Sequence, residues 1–195
     1  MTAITPLQSI HKKGLFGDHH KKNEKDLTNI TEIKNLNMVQ IFQYKKSQVE
    51  LESINIDGLN LSSQSLKVSS NQNTRILWNA PNTWLVVSNK EDILKIINQN
   101  CNNNDFAITD ITHSRATIQI KGFKAKEILK KGCPINFNEF VKNTCVGSIF
   151  HGINIVVDCI ENNPQTYNLI VLRSFGESFY HHITDASLEF GYKSL

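Results

Sequence analysis

Short runs of β-branched and aromatic residues, separated by brief turn sequences, constrain the fold of this 195-residue chain more than any other feature. Apolar runs of this length, alternating or continuous and bounded by turn residues, are typical of strands. Two of the runs are joined only by Pro81 and Asn82, which predicts a hairpin. We expect ordered structure to begin near residue 36. The predicted strands are 37–44, 74–80, 83–88, 106–112, 116–122, 144–152, 153–161 and 166–174.

Four other segments have the apolar spacing or the terminal residues of a helix. Ser88 and Ser174 are each followed three residues later by Glu, which predicts a capping box at the start of two helices. Gly132 and Gly191 follow the last apolar positions of two segments and predict glycine C-caps. The predicted helices are 46–54, 88–100, 123–132 and 174–191.

A strand–helix–hairpin–helix order occurs twice along the chain. The stretch 39–52 parallels 117–130 at an offset of 78 positions, and Ser88 falls against Ser174 at an offset of 86. The pattern predicts an α+β fold made of duplicated strand–helix–hairpin–helix units, with helices covering one side of each sheet. We therefore expect one α+β domain over 28–195, with halves at about 36–100 and 106–191.

Residues 1–27 predict an extended N-terminal arm without a periodic apolar face. Five lysines and three histidines are spread among few apolar residues. Such a segment is either a solvated tail or a segment that becomes ordered on a partner. We expect the second, with Pro6, Leu7 and Phe16 as candidate partner contacts.

Composition and charge exclude several classes of protein. The formal net charge of +3 is too small to indicate nucleic-acid binding. No apolar run approaches the roughly 18 residues that a membrane-spanning helix needs. The N-terminal stretch has no apolar segment of the kind found in secretory signals, so we expect a cytoplasmic protein without a membrane or nucleic-acid partner.

Motifs that carry chemistry are missing from the sequence. The dinucleotide and phosphate-binding glycine motifs do not occur, nor do the common hydrolase and zinc-protease motifs. Glu177, His181 and His182 lie together near the C-terminus, but their helical spacing favours a capped helix with solvent-facing side chains. The segment "DITHSR" at 110–115 places Asp, His and Ser close together. Triad residues normally come from separate elements, so a polar turn is the favoured interpretation.

The four cysteines do not predict a metal site. Cys101, Cys133, Cys145 and Cys159 lack the paired spacing of zinc ligands and are expected to be buried thiols. Cys133 precedes Pro134 and is a conceivable nucleophile, but no neighbouring feature would lower the pKa of its thiol. We predict no catalytic, cofactor-binding or metal-binding residues in this chain.

Several stretches resemble the gamma subunit family of heterotetrameric sarcosine oxidase, in the order found there. The most specific are "KGCP" at 131–134 and "RSF" at 173–175, which is followed by Glu177 and Ser178. Asn136 and Gly176 depart from the family pattern, which usually has Asp and Ala there. The matching stretches are "TPL", "PNTWLVV", "DITHSRATIQIKG", "ILKKGCPINF", "TCVGSIF" and "VLRSFGESFYHHITDASLEFG".

This resemblance implies a fold like the folate-binding domain of glycine-cleavage aminomethyltransferase, itself an internal duplication. It also implies a four-subunit enzyme that oxidatively demethylates sarcosine to glycine. The alpha, beta and delta subunits would be the partners and would hold FAD, FMN, NAD, zinc and tetrahydrofolate. We expect the loop with Cys133, Pro134 and Phe137 to contact a partner, along with the arm.

Two alternatives remain open at this point. The complex could act on N-methylglutamate, dimethylglycine or another N-methyl amine. The chain could also be a stand-alone folate-binding module, for which Asp110 and Trp84 are possible pterin contacts.

Overall fold

The computed structural model describes residues 4–20 and 22–195. This part of the chain contains strands, three α-helices and several short 3-10 turns. The α-helices are α1 (Ile93–Asn100), α2 (Ala125–Lys130) and α3 (Gly176–Ser187). The strands are β1 (Gly14–Phe16), β2 (Thr28–Ile33), β3 (Asn37–Gln43), β4 (Asn55–Ile56), β5 (Leu59–Asn60), β6 (Val68–Ser70), β7 (Thr74–Ala80), β8 (Thr83–Ser88), β9 (Phe106–Asp110), β10 (Arg115–Lys121), β11 (Cys145–Phe150), β12 (Ile153–Asn162), β13 (Gln165–Leu172) and β14 (Tyr192–Ser194).

The chain divides into two compact units. The middle unit consists of Asn35–His113 and Asn143–Val146. The terminal unit consists of Met1–Lys34, Ser114–Lys142 and Gly147–Leu195. Each unit combines a β-sheet with α-helix, so the predicted α+β class is confirmed.

The middle unit is a five-stranded sheet in the order β6-β7-β8-β3-β9, with α1 packed on its core. Every residue of β8 is buried, which explains why its sequence is a continuous apolar run and not an alternating one. Ile41 lies opposite Trp84 across β3 and β8, and Ile93 and Ile97 of α1 join the same buried cluster. The predicted hairpin is confirmed, and Asn82 in its turn has a φ of 56°.

The terminal unit is a seven-stranded sheet in the order β1-β14-β2-β10-β13-β12-β11, with helices α2 and α3. Cross-strand pairs build its core: Ile118 lies opposite Leu169, and Ile120 opposite Tyr167. All four side chains are buried. Helices α2 and α3 contact each other and the sheet. Their buried residues include Ile128, Leu129, Phe179 and Ile183.

The two sheets share a strand order. The sheet of the middle unit has the order β6-β7-β8-β3-β9. Five strands of the terminal unit correspond to it position by position, in the order β11-β12-β13-β10-β2. Strand β3 begins 78 positions before β10, the offset predicted from the repeat. In each sheet the last strand of this series pairs antiparallel with the fourth: β9 with β3, and β2 with β10.

One predicted helix is wrong. Residues 46–54 form no α-helix, only a 3-10 turn at Leu51–Ser53. The side chain of Gln43 donates a 2.8 Å hydrogen bond to the carbonyl of Val49, and Ile54 enters the core of the middle unit. The middle unit therefore lacks the first helix of the predicted strand–helix–hairpin–helix order, and in the terminal unit three strands lie between α2 and α3.

Neither predicted capping box forms. Helix α1 begins five residues after Ser88, which ends β8, and α3 has Phe175 at its N-cap without a side-chain hydrogen bond. Helix α2 ends at Lys130 with Lys131 as its C-cap, and Gly132 does not take a positive φ. Gly191 does, with a φ of 68°, as its predicted role requires.

Ordered structure begins before residue 36. The alternating sequence of β2 was missed, although Thr28, Ile30 and Glu32 are buried in alternation with less buried residues. Strand β1 of the predicted arm pairs with β14. The described part of the arm therefore packs on its own chain, within the terminal unit.

Candidate functional site

The segment at 110–115 forms the polar turn expected from its sequence. The backbone N–H of Thr112 donates to Oδ1 of Asp110 at 2.9 Å, and hydrogen bonds from Thr112 lower the pKa of that carboxyl below its usual value. The hydroxyl of Thr112 accepts from the backbone N–H of Met38 at 3.0 Å. These bonds hold the end of β9 against β3. The side chains of Asp110 and Thr112 therefore have a structural role.

The acidic and basic side chains of α3 face solvent. Glu177, His181 and His182 are exposed. Within residues 4–20 and 22–195, no three His, Cys, Asp or Glu side chains are grouped closely enough to hold a metal ion. The ring centroid of His182 lies 5.4 Å from that of His151.

The cysteines are buried and reduced. Burial raises the pKa of the Cys133 thiol to about 11, and a weaker opposing effect comes from its hydrogen bond with Ser148. Burial alone raises the pKa of Cys101 to about 11. A thiol with so high a pKa is almost wholly protonated at neutral pH and is a poor nucleophile.

Trp84 is a core residue and not a wall of an open pocket. Its side chain is 1% exposed, and its indole N–H donates to the carbonyl of Ser62 at 2.8 Å. A residue enclosed in this way does not offer a face on which a pterin could stack.

The six candidate interface residues differ in burial. Leu7, Cys133 and Phe137 are buried inside the chain, and their contact with a partner stays a prediction. Leu7 is fixed there by its backbone N–H, which donates to Oε1 of Glu32 at 3.3 Å. Pro6 and Phe16 are half-buried, with the Phe16 ring stacked on Tyr192.

Pro134 is exposed and stays a candidate contact. It borders a shallow cleft of about 520 Å³ on the surface of the terminal unit, lined also by Ser148, Ile149 and Ile155. Ile149 is an exposed apolar side chain on β11, at the end of the sheet.

Sequence reasoning missed a group of exposed apolar side chains where β13 leads into α3. Leu172 and Phe175 are there, and Ile4 is tied to the same place because its carbonyl accepts a hydrogen bond from Arg173. The sequence "VLRSF" does indicate this group of side chains. In it, the large apolar residues Leu172 and Phe175 flank the start of the helix but do not belong to its apolar face.

One family is shown by the comparison with family models. The model of the sarcosine oxidase gamma subunit family matches residues 52–189. A sequence search of curated proteins finds no match.

Two solved structures share the fold. Heterotetrameric sarcosine oxidase from Corynebacterium sp. U-96, in complex with pyrrole 2-carboxylate, matches with a TM-score of 0.83 and 17% identity over 97% of both chains. Aminomethyltransferase T of the glycine cleavage system from Bartonella henselae matches with a TM-score of 0.65 and 9% identity, over 88% of this chain and 48% of that one. The chain therefore spans about half of the aminomethyltransferase. Because the family model covers more than half of its length, this chain belongs to the sarcosine oxidase gamma subunit family.

Proposed function

We propose that this chain is the gamma subunit of a heterotetrameric sarcosine oxidase-like complex, and that its role there is structural. The observation that carries the proposal is the family match over residues 52–189. The shared fold over 97% of a chain of the Corynebacterium enzyme supports it. The reaction of the complex would be the oxidative demethylation of sarcosine to glycine, in the cytoplasm.

The absence of a catalytic site from this chain is part of the proposal. The structural roles of the polar side chains support this part of the proposal. Asp110 and Thr112 hold a turn, and the thiols of Cys101 and Cys133 are buried and protonated. The alpha, beta and delta subunits would supply FAD, FMN, NAD, zinc and the tetrahydrofolate site. No helix of residues 4–20 and 22–195 is long and apolar enough to cross a membrane.

Co-expression of the four subunits tests this proposal. We expect an affinity tag on this chain to recover the other three in fixed ratio, together with flavin absorbance and oxidation of sarcosine. The chain purified alone should show neither flavin nor turnover. Turnover by the lone chain, or recovery of the tagged chain without the flavin-bearing subunits, would contradict the proposal. Rates of the assembled complex with sarcosine, dimethylglycine and N-methylglutamate identify its substrate.

We infer further that the two units arose by duplication. The shared strand order of the two sheets and the 78-position offset between β3 and β10 support this origin. The helix between the first strand and the hairpin is present only as α2 in the terminal unit, so one copy has lost it or the other has gained it.

A further inference from the structure

The start of α3 carries an apolar surface that the described part of the chain, residues 4–20 and 22–195, leaves exposed. We call it the α3-start surface and define it by Ile4, Leu172 and Phe175. These side chains are 69%, 41% and 47% exposed, respectively. Large apolar side chains gathered in this way on a soluble chain mark a contact site more often than isolated ones do.

The segments that form this surface are fixed to one another. A guanidinium N–H of Arg173 donates to the carbonyl of Ile4. Behind it, a side-chain carbon at Gly176 would lie 3.3 Å from Cβ of Pro6 and 3.4 Å from Cβ of Ala116, so the arm, α3 and β10 meet closely here. The segments that carry the three apolar side chains are therefore closely packed against one another.

The rim of this surface is positively charged. Arg115 lies opposite Leu172 across β10 and β13, so the two side chains share a face of the sheet. Arg173 follows Leu172 directly and is exposed. Both guanidinium groups stay charged at neutral pH.

The helix end itself does not add to this charge. Glu177 lies in the first turn of α3, where its exposed carboxylate offsets the partial positive charge that the N-terminal end of a helix carries. A carboxylate of a partner would therefore be attracted here by the two guanidinium groups.

We propose that the α3-start surface docks a segment of another subunit of the complex, one that presents an apolar side chain next to a carboxylate. Ile4, Leu172 and Phe175 contact the apolar side chain. Arg115 and Arg173 bind the carboxylate. This inference rests on the proposed function, because it takes its partner from the same complex.

A competition experiment tests the surface on the intact assembly. Wild-type chain and a variant of different mass are co-expressed with the other three subunits, which are recovered through a tag on one of them. Intact mass spectrometry then gives the ratio of the two chains in the complex and in the free pool. We expect Phe175→Glu to be depleted roughly 30-fold in the complex, the loss typical of a central interface residue.

Phe123→Glu is the matched control. Phe123 is also an exposed phenylalanine of the terminal unit, at 59%, but it precedes α2. We expect this variant to enter the complex as well as the wild-type chain does. Far-UV circular dichroism and the melting temperature of each variant alone should match wild type, which separates docking from folding.

The role of Arg115 and Arg173 is tested separately, by the salt dependence of assembly. The double variant Arg115→Gln, Arg173→Gln should be depleted at low salt, and the depletion should shrink in 0.5 M salt, where ionic contacts are screened over about 4 Å. Equal depletion at both salt concentrations would overturn the assignment of the carboxylate.

The outcomes separate this inference from the proposed function. If wild-type chain enters the complex and Phe175→Glu enters equally, the α3-start surface is not the docking site, although the subunit assignment stands. If wild-type chain fails to enter the complex, both fall. A dimer of the isolated chain that Phe175→Glu dissociates would assign the surface to a second copy and overturn the inference.

Discussion

Gly132 shows how one residue can be required for a reason that its sequence position does not reveal. Sequence predicts a left-handed helix end, but the structure shows close packing: a Cβ at this position would lie 2.9 Å from the ring of Phe150 and 3.0 Å from that of His151. Phe150 is fully buried and cannot move aside freely. The missing side chain, and not a positive φ, makes glycine necessary here.

Replacing this glycine should destabilise the chain. We expect Gly132→Ala to lower the free energy of unfolding by about 1–3 kcal/mol, the usual cost of overpacking a core. Gly147→Ala is the control, because its added Cβ would meet nothing within 4 Å. Urea denaturation of both variants measures the difference. Equal stability of the two variants would contradict the packing argument.

Asp57 is the centre of a polar network in the middle unit. Its carboxylate accepts from Nζ of Lys90 at 2.7 Å and from the hydroxyl of Thr74 at 2.6 Å. The bond from Lys90, followed by that from Thr74, lowers the pKa of Asp57 below its usual value. The group therefore stabilises the fold fully above its unfolded pKa of about 4, and this contribution is lost as pH falls through the lower, folded pKa.

Substituting Asp57 should show that pH dependence. We expect Asp57→Asn to lower the free energy of unfolding by about 2 kcal/mol at pH 7, because charge-assisted hydrogen bonds are lost. The difference from wild type should diminish as pH is lowered below about 4. Glu52→Gln, at an exposed carboxylate, is the control. Urea titrations at pH 7 and pH 3 make the comparison, and a difference that is constant with pH would refute the argument.

At the scale of elements, two serines with the same sequence pattern have different surroundings. Ser174 is exposed in the middle of the 3-10 turn that leads into α3, and no side chain caps that turn. Ser88 is buried at the end of β8, where its hydroxyl contacts that of Thr74 at 2.9 Å and accepts from the N–H of Lys90 at 3.1 Å. Pattern alone could not distinguish them, since burial depends on partners distant in sequence.

Alanine variants at the two serines should therefore differ in their free energy of unfolding. Ser174→Ala should change the free energy of unfolding by less than about 0.5 kcal/mol, whereas a true N-cap would cost about 1 kcal/mol. Ser88→Ala should cost about 1–3 kcal/mol, because buried partners are left unsatisfied. Denaturation by urea measures both. A larger cost at Ser174 than at Ser88 would restore the capping-box interpretation.

Elements with a strong apolar pattern were predictable, and those fixed by distant contacts were not. The hairpin β7–β8 and strands β10, β12 and β13 follow from their β-branched runs. The stretch around Val49 has helix-forming residues, but its conformation is set by the hydrogen bond from Gln43 and by burial of Ile54. The α3-start surface was missed for the same reason: whether Phe175 is covered depends on the position of the N-terminal segment.

At the scale of the whole molecule, four buried thiols allow the opening of both units to be measured by chemical labelling. Cys101 and Cys145 belong to the middle unit, Cys133 and Cys159 to the terminal unit, and all four are buried. Burial raises the pKa of Cys101 and of Cys133 to about 11, so the reactive thiolate is scarce even where reagent could reach the sulfur. Reaction therefore requires that the unit around each thiol opens.

Labelling of the native chain should accordingly be slow. At pH 8 we expect each of the four thiols to react with a thiol-specific reagent at least about 1000-fold more slowly than in the urea-unfolded chain, as expected when reaction needs unfolding of a buried region. Lys130→Cys is the control, because residue 130 is exposed and its new thiol should react at once. Mass spectrometry of timed samples assigns each label to its cysteine. Rapid native labelling of Cys133 would contradict this expectation and would show that its loop is open in the free chain.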